Sequence, residues 1–292
     1  MCAARVPAGA ARRDSPVADG FFQSVVPESE DAHIDVDTSV AHIARVYDYW
    51  LGGKDNFAPD REAGDEAIVA YPQLVSSVRA NRAFLARTVR FLVGEAGIRQ
   101  FLDIGTGIPT ASNTHEVAQA IAPESRVVYA DNDPMVLAHA RALLTSTSQG
   151  ATAYIHADLR DPEKILAEAA DTLDLTQPVA LILSGVLGHV VDIDEARSIV
   201  RGLLAGLPSG SYLSLNDGTS VIARDQLEQA TQDYNDSGAL PYVQRTPAEI
   251  ASFFEGLELV EPGVVSCPRW RPDPVLGDQP ELDAFGGVGR KP

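Results

Sequence analysis

Phe101-Leu102-Asp103-Ile104-Gly105-Thr106-Gly107-Ile108-Pro109-Thr110 is a short apolar run that ends in a turn with two glycines. A helical stretch, 114–121, follows it. Glycine in such a turn permits positive φ and lets a ligand approach the backbone closely. The helix beyond offers unpaired N–H groups to an anion or a polar ligand. Asn113 and Glu116 have the spacing of a capping box, and Pro109 suits a helix start because it gives up an N–H that has no helical partner. A glycine turn alone is a weak signal, since any tight strand-to-helix connection can use one.

Two further strand ends give it meaning. Val127-Val128-Tyr129-Ala130-Asp131 ends on a carboxylate, 131 − 105 = 26 positions after the first glycine. An acid there takes ribose hydroxyls in nucleotide-binding α/β sheets. Tyr154-Ile155-His156-Ala157-Asp158-Leu159 ends on a second carboxylate, suited to accept from an adenine amino group. Asp103 then separates two cofactor classes. A dinucleotide sets a doubly negative pyrophosphate against the glycine turn, where Asp103 would repel it. S-adenosylmethionine instead brings an ammonium and a sulfonium, both cationic. The third glycine of the dinucleotide fingerprint is also missing, with Thr110 in its place. The turn therefore favours S-adenosylmethionine over NAD.

Outward from this turn, strand candidates at 100–104, 126–130, 153–156, 179–183 and 211–215 alternate with helical stretches at 114–121, 134–144, 162–169 and 194–204. Such alternation predicts right-handed crossovers and a doubly wound parallel sheet with helices on both faces. The run 179–183 is apolar throughout, as a strand buried on both faces must be. Helical stretches at 220–234 and 247–254 follow, then strand candidates at 257–265 and 284–288. With no helix between them, these last two must pair by hairpin or lie antiparallel to a neighbour. On the other side, 39–93 is helical. Val40, Ile43, Val46, Tyr47 and Trp50 share a face that ends at Gly52-Gly53; a second helix covers 62–70; a third covers 73–93 with Leu74, Val75, Val78, Leu85, Val89 and Leu92 as its stripe. Residues 1–36 read as a disordered tail.

The chain has 292 residues and a net charge of −18, from 23 basic and 41 acidic side chains. This balance argues against broad binding to nucleic acid or an anionic membrane, which need counter-charge. No apolar stretch is long enough to span a bilayer, and no signal-peptide pattern is visible. Cys2 and Cys267 neither staple a secreted scaffold nor have metal-ligand spacing, so a reducing cytoplasm and no metal are expected.

Several longer strings bear a resemblance. Ala44-Arg45-Val46-Tyr47-Asp48-Tyr49-Trp50-Leu51-Gly52-Gly53-Lys54-Asp55-Asn56-Phe57, the glycine turn with Asn113-Thr114-His115-Glu116, the stretches 129–134 and 156–162, and the ending Gly286-Gly287-Val288-Gly289-Arg290-Lys291-Pro292 resemble the bacterial S-adenosyl methyltransferase family, formerly a domain of unknown function. The resemblance runs from about Asp37 onward. It implies a class I methyltransferase fold: a Rossmann-like, doubly wound, mostly parallel seven-stranded sheet with a helical N-terminal cap. It names no substrate.

The expected organisation is a tail at 1–36, a helical cap at 37–93 and an S-adenosylmethionine-binding methyltransferase domain at 94–292. The expected cofactor residues are Asp103, Gly105, Thr106, Gly107, Pro109, His115, Asp131, Asn132, Asp158, Leu159, Ser184 and Gly185, with His115 orienting the cofactor's methionine end or capping its helix. His189, after the central strand, is the candidate base, against the plainer reading of a loop histidine that only packs. Tyr47, Tyr49, Lys54, Asn56 and Asn81 are the candidate substrate contacts, while Val46 and Trp50 read as core. Asn216-Asp217 either meets substrate or is a plain turn. Arg79, Arg82, Arg87 and Arg90 mostly share a face and read as solvated, although Asn81-Arg82 can reach the cleft. The function expected is S-adenosylmethionine-dependent methylation of a small molecule at O or N, yielding S-adenosylhomocysteine. The alternatives are a protein that holds S-adenosylmethionine without turnover, and an NAD-dependent oxidoreductase.

Overall fold

In the computed structural model the described residues are 37–109, 112–133, 135–136, 146–236 and 240–292. Strand β1 (Gln100–Ile104) is buried at every position, which is what an apolar run requires. It lies between β2 (Arg126–Asp131) and β4 (Ala180–Ser184), parallel to both. β3 (Ala151–His156) extends the sheet beyond β2, and β5 (Tyr212–Gly218) extends it beyond β4, again in parallel. The chain order therefore reverses between β1 and β4. In open α/β sheets ligands bind outside the carboxyl ends of strands at such a switch point.

β8 (Ala284–Arg290) runs antiparallel to β5 and also pairs antiparallel with β6 (Glu258–Leu259) and β7 (Val265–Ser266). Among the described residues the sheet thus has eight strands in the order β3-β2-β1-β4-β5-β8-β6, with β7 beside β8. The single strand expected at 257–265 is instead β6 and β7. A turn interrupts it, in which the Gly263 N–H donates to Val260 O at 2.8 Å and Gly263 takes φ +85°.

The strand alternation sorts the core into two faces. Leu102, Ile104, Val128, Leu181, Leu183, Leu213 and Leu215 pack with α5 (Pro162–Ala169) and α6 (Ile193–Ala205). Phe101, Val127, Tyr129, Ala180, Ile182 and Val288 pack with α3 (Leu74–Gly94) and α4 (Thr114–Ile121). The buried face of α3 includes Phe84 and Val93 besides Leu85, Val89 and Leu92, whereas Leu74 and Val75 stay partly exposed. Phe84 meets the fully buried Trp270 edge-on at 5.6 Å.

α1 (Ile43–Leu51) and α2 (Ala58–Ala70) complete the cap. α2 starts before the expected residue 62 because Asp60 accepts from the Phe57 N–H at 2.8 Å and closes the first turn. α7 (Arg224–Asp236) starts later than 220. The buried Asp283 carboxylate takes the N–H groups of Val221, Ile222 and Ala223 at 2.8–2.9 Å and holds that stretch out of the helix. α8 is Pro247–Ser252, begun by a Thr246–Glu249 capping box. Single-turn 3₁₀ segments cover Leu187–His189, Cys267–Arg269 and Pro274–Leu276. The expected tail at 1–36 and all of the expected helix at 134–144 except Met135 and Val136 lie outside the described residues. Among those described, no helix is long and apolar enough to cross a membrane.

Candidate functional site

The turn after β1 is held by its own backbone. Gly105 (φ +73°) donates its N–H to Ala130 O at 2.8 Å, and Gly107 (φ +62°) donates to Asp131 Oδ2 at 3.0 Å. A Cβ on Gly105 would fall 2.3 Å from Val186, so the turn is pressed against the loop after β4. At Gly107 a Cβ would meet nothing within 4 Å, which leaves the backbone open to a ligand. Thr106, Gly107 and Pro109 line the cleft together with Arg82, Asp103, Asn113, Thr114, Tyr129 and Tyr154.

Asp103 is 5% exposed and accepts from Thr114 Oγ1 at 2.6 Å. Burial pushes its carboxyl up to about 6, against the Thr114 bond and the nearby Arg82 guanidinium, both of which favour the anion. Asp131 is likewise raised by burial, opposed by the N–H groups of Asp133 and Gly107. Buried carboxylates around an open glycine backbone fit a cationic, hydroxyl-bearing ligand. They do not fit a pyrophosphate.

On the rim, Asn132 Nδ2 lies 3.5 Å from Asp158 Oδ2, and His156 Nε2 lies 3.0 Å from Asn132 O. The other Asp158 oxygen accepts from the Arg160 N–H at 2.8 Å. Leu159 departs from expectation: its side chain is buried in the core, leaving only its backbone for a ligand. His115 departs as well. Its N–H and Nδ1 both meet Tyr129 Oη at 2.8 Å, so it packs behind the cleft rather than in it. Burial lowers its pKa. Tyr129 and Tyr154, stacked 5.0 Å apart, line the cleft instead. Their signal was masked by the apolar alternation of their strands.

A second polar group joins the carboxyl ends of β4 and β5 to the cap. Ser184 Oγ donates to Asn216 Oδ1 at 2.8 Å and Asn216 Nδ2 donates to Asn81 Oδ1 at 3.1 Å, with the Tyr47 hydroxyl beside the Asn81 side chain. The exposed Gly185 donates its N–H to Asn216 O at 2.8 Å. Tyr47, Asn81 and Ser184 thus come together around Asn216.

Three of the expected substrate contacts do not join them. Tyr49 donates to Asp65 Oδ1 at 2.7 Å and packs on Gly64, at the α1–α2 joint. Asn56 Nδ2 donates to Asp48 Oδ2 at 2.9 Å and Gly53 O at 3.1 Å, closing its own loop. Lys54 is exposed. Val46 is core as expected, but Trp50 is only half-buried, its Nε1–H donating to Gly64 O at 3.1 Å. Of the arginines read as solvated, Arg82 lines the cleft, and Arg87 donates to Cys267 O at 2.6 Å and Trp270 O at 2.9 Å.

His189 ends the turn after β4. Its Nδ1 lies 3.2 Å from Pro241 O, its ring meets Tyr242 edge-on at 5.2 Å, and burial lowers its pKa. The cap reaches the same edge of the sheet. His42 Nε2 is 3.1 Å from Asp133 Oδ2, and Ala44 packs on Ile108, Met135 and Val136. Among the described residues no group of three or more His, Cys, Asp or Glu is placed to hold a metal.

Comparison with known proteins agrees with this geometry. Residues 29–292 match the family described as S-adenosyl methyltransferase. The chain is similar to the crystal structure of a DUF574 family protein from Streptomyces avermitilis, with 51% identity, 88% of this chain and 99% of that one covered, and a TM-score of 0.84. It is also similar to a Thermobifida fusca protein assigned as a methyltransferase, with 41% identity, 90% and 99% covered, and a TM-score of 0.78. A SAM-dependent methyltransferase from Anabaena variabilis, 14% identical with 86% and 96% covered, shares the fold at a TM-score of 0.50. No curated protein gives a significant match. The NAD-dependent alternative falls away, and the cofactor is S-adenosylmethionine. The chain belongs to the S-adenosyl methyltransferase family, and it is an S-adenosylmethionine-dependent methyltransferase.

Proposed function

We propose that the enzyme methylates an oxygen or nitrogen of a small molecule held between the turn after β4 and the cap at 37–93. The observation that carries this reading is the neutral hydrogen-bonded chain Ser184–Asn216–Asn81, which ties β4, β5 and α3 together beside the cofactor turn, with Tyr47 of α1 next to it. Neutral donors and acceptors there suit an uncharged polar group better than a polyanion, and the net charge of −18 supports a reading without nucleic acid or membrane. The absence of a membrane-length helix among the described residues and a buried, unpaired Cys267 support a cytoplasmic setting.

Asp103 would hold the cofactor's ammonium, Asp131 its ribose hydroxyls, and Asp158 with Asn132 its adenine amine, with Thr106, Gly107 and Pro109 shaping the wall. S-adenosylmethionine supplies a methyl group on a sulfonium, which needs an aligned acceptor more than it needs acid catalysis. His189 is the candidate for taking a proton from an acidic acceptor. Burial lowers its pKa, so the ring is neutral at pH 7 and able to accept.

The test is incubation of purified protein with methyl-labelled S-adenosylmethionine and fractionated bacterial extract. Label should enter a small-molecule fraction. Label confined to the added cofactor would favour a protein that binds S-adenosylmethionine without turnover, and label in nucleic acid would overturn the substrate class.

A further inference from the structure

One tyrosine keeps two glycines bare. A Cβ on Gly188 would fall 2.1 Å from the Tyr242 ring, and one on Gly218 would fall 2.6 Å from its hydroxyl. Neither glycine has a positive φ that would call for it. Tyr242 is itself fixed by Asn235 of α7, whose Oδ1 accepts from the Tyr242 N–H at 2.8 Å and whose Nδ2 donates to Tyr242 O at 2.9 Å. The Tyr242 hydroxyl donates to Asp217 Oδ1 at 3.2 Å, and Asp217 Oδ2 lies 3.6 Å from Arg245 Nη1. Asp217 and Arg245 are almost wholly buried. Arg245 donates to the carbonyls of Leu187, at 2.7 Å, and Val190, while the Val243 N–H donates to Gly188 O at 2.9 Å. The short turn carrying His189 is therefore gripped along its length by one segment, 241–245.

A buried ion pair 3.6 Å apart is a poor way to gain stability, because desolvation of both ions offsets their attraction. Its geometric effect is specific: it holds the Leu187–His189 turn against the Pro241 carbonyl. That carbonyl can only accept, so the hydrogen bond at His189 Nδ1 requires the proton to sit there. In the neutral ring Nε2 then carries the lone pair.

We propose that Asp217, Tyr242 and Arg245 are positioning residues that fix the tautomer and aim of His189, leaving Nε2 as the proton-accepting atom toward the methyl acceptor. This rests on the reading of His189 given above.

The experiment is nitrogen-15 NMR of histidine-labelled full-length protein with S-adenosylhomocysteine bound, followed across pH. Parent protein should show His189 in the Nδ1–H form. Arg245→Lys, which keeps the charge but loses the two-carbonyl grip, and Asp217→Asn should both give a mixture of tautomers and a titration moved toward that of a free histidine. Affinity for S-adenosylhomocysteine should stay within about twofold of parent. Tyr242→Phe, which keeps the ring over Gly188, should move the tautomer in the same direction by less. Unchanged tautomer and titration in all three overturn the proposal. If the charge variants fail to fold, an unchanged spectrum in Tyr242→Phe alone overturns it. His189→Gln assayed for label transfer tests the separate point: parent-level transfer would remove His189 from the chemistry while the NMR result still decided what positions it.

Discussion

Asp103→Asn should raise the stability of the protein and weaken its cofactor at the same time. Folding lifts this carboxyl from an ordinary value near 3.8 to about 6, chiefly by burial. The folded protein therefore holds the proton more tightly than the unfolded chain. The stabilisation this gives is complete below about pH 4 and is lost as pH rises through 6. At pH 7.5 both states are ionised and the buried charge costs about 3 kcal/mol, from roughly two pK units at about 1.4 kcal/mol each. Asparagine removes that charge and can still accept from Thr114 Oγ1, now at 2.6 Å. A gain of about 1–3 kcal/mol is expected at pH 7.5, a rise of several degrees in Tm, and the gain should vanish near pH 4. Binding moves the other way. An ammonium about 4 Å from the carboxylate gains roughly 4 kcal/mol at an effective dielectric near 20, before desolvation is subtracted. S-adenosylmethionine and S-adenosylhomocysteine should each bind roughly ten- to a hundredfold more weakly in calorimetric titration at pH 7.5. At pH 5.5 the gap should narrow, because the parent carboxyl is then largely protonated. Equal affinity of parent and variant at pH 7.5 would refute the electrostatic role of Asp103.

Asp131→Ala should weaken the cofactor by about 2–3 kcal/mol through loss of a charge-assisted bond, with a further contribution because Gly107 loses the acceptor that shapes its turn; an unchanged calorimetric Kd would remove Asp131 from the ribose. Gly107→Val places a β-branched residue at φ +62° and fills the open backbone face, so cofactor binding should fall below detection while circular dichroism still reports a folded protein. Deleting residues 1–36 should leave cofactor affinity intact. Deleting through Phe57 should remove the His42–Asp133 and Ala44–Ile108 contacts, raise binding of a hydrophobic dye and lower affinity; normal affinity in the longer deletion would make the cap a separate module.

What could be read in advance follows from which forces act locally. β1, β2 and β4 were legible because strands buried on both faces must be apolar. The placement of Asp103, Asp131 and Asp158 at or just past the carboxyl ends of β1, β2 and β3 was legible because each closes an apolar run. The side of α4 on which His115 packs could not be read locally, because it depends on Tyr129, a partner from the neighbouring strand. Arg87 looked solvated because nothing near it in sequence announces the Cys267 and Trp270 carbonyls, some 180 residues away. The run 257–265 alternates like one strand, and only the Gly263 turn breaks it. The grip of Tyr242 and Arg245 on the His189 turn has no periodic signature, since it consists of hydrogen bonds from an irregular segment to backbone carbonyls.

The position of β8 has a consequence for how the sheet is assembled. β5 is complete at Gly218, yet the strand that covers its outer edge begins at Ala284, after α7, α8 and both short strands have been made. During synthesis the five parallel strands can pair while β5 still presents a row of unsatisfied N–H and C=O groups, the kind of edge that recruits other chains. β6 and β7 cannot shield it, because among the described residues each pairs only with β8. The interval between β5 and β8 is therefore when a nascent chain is most open to association with its neighbours. Variants that slow the docking of β8 should lower soluble yield before they lower the stability of the finished protein.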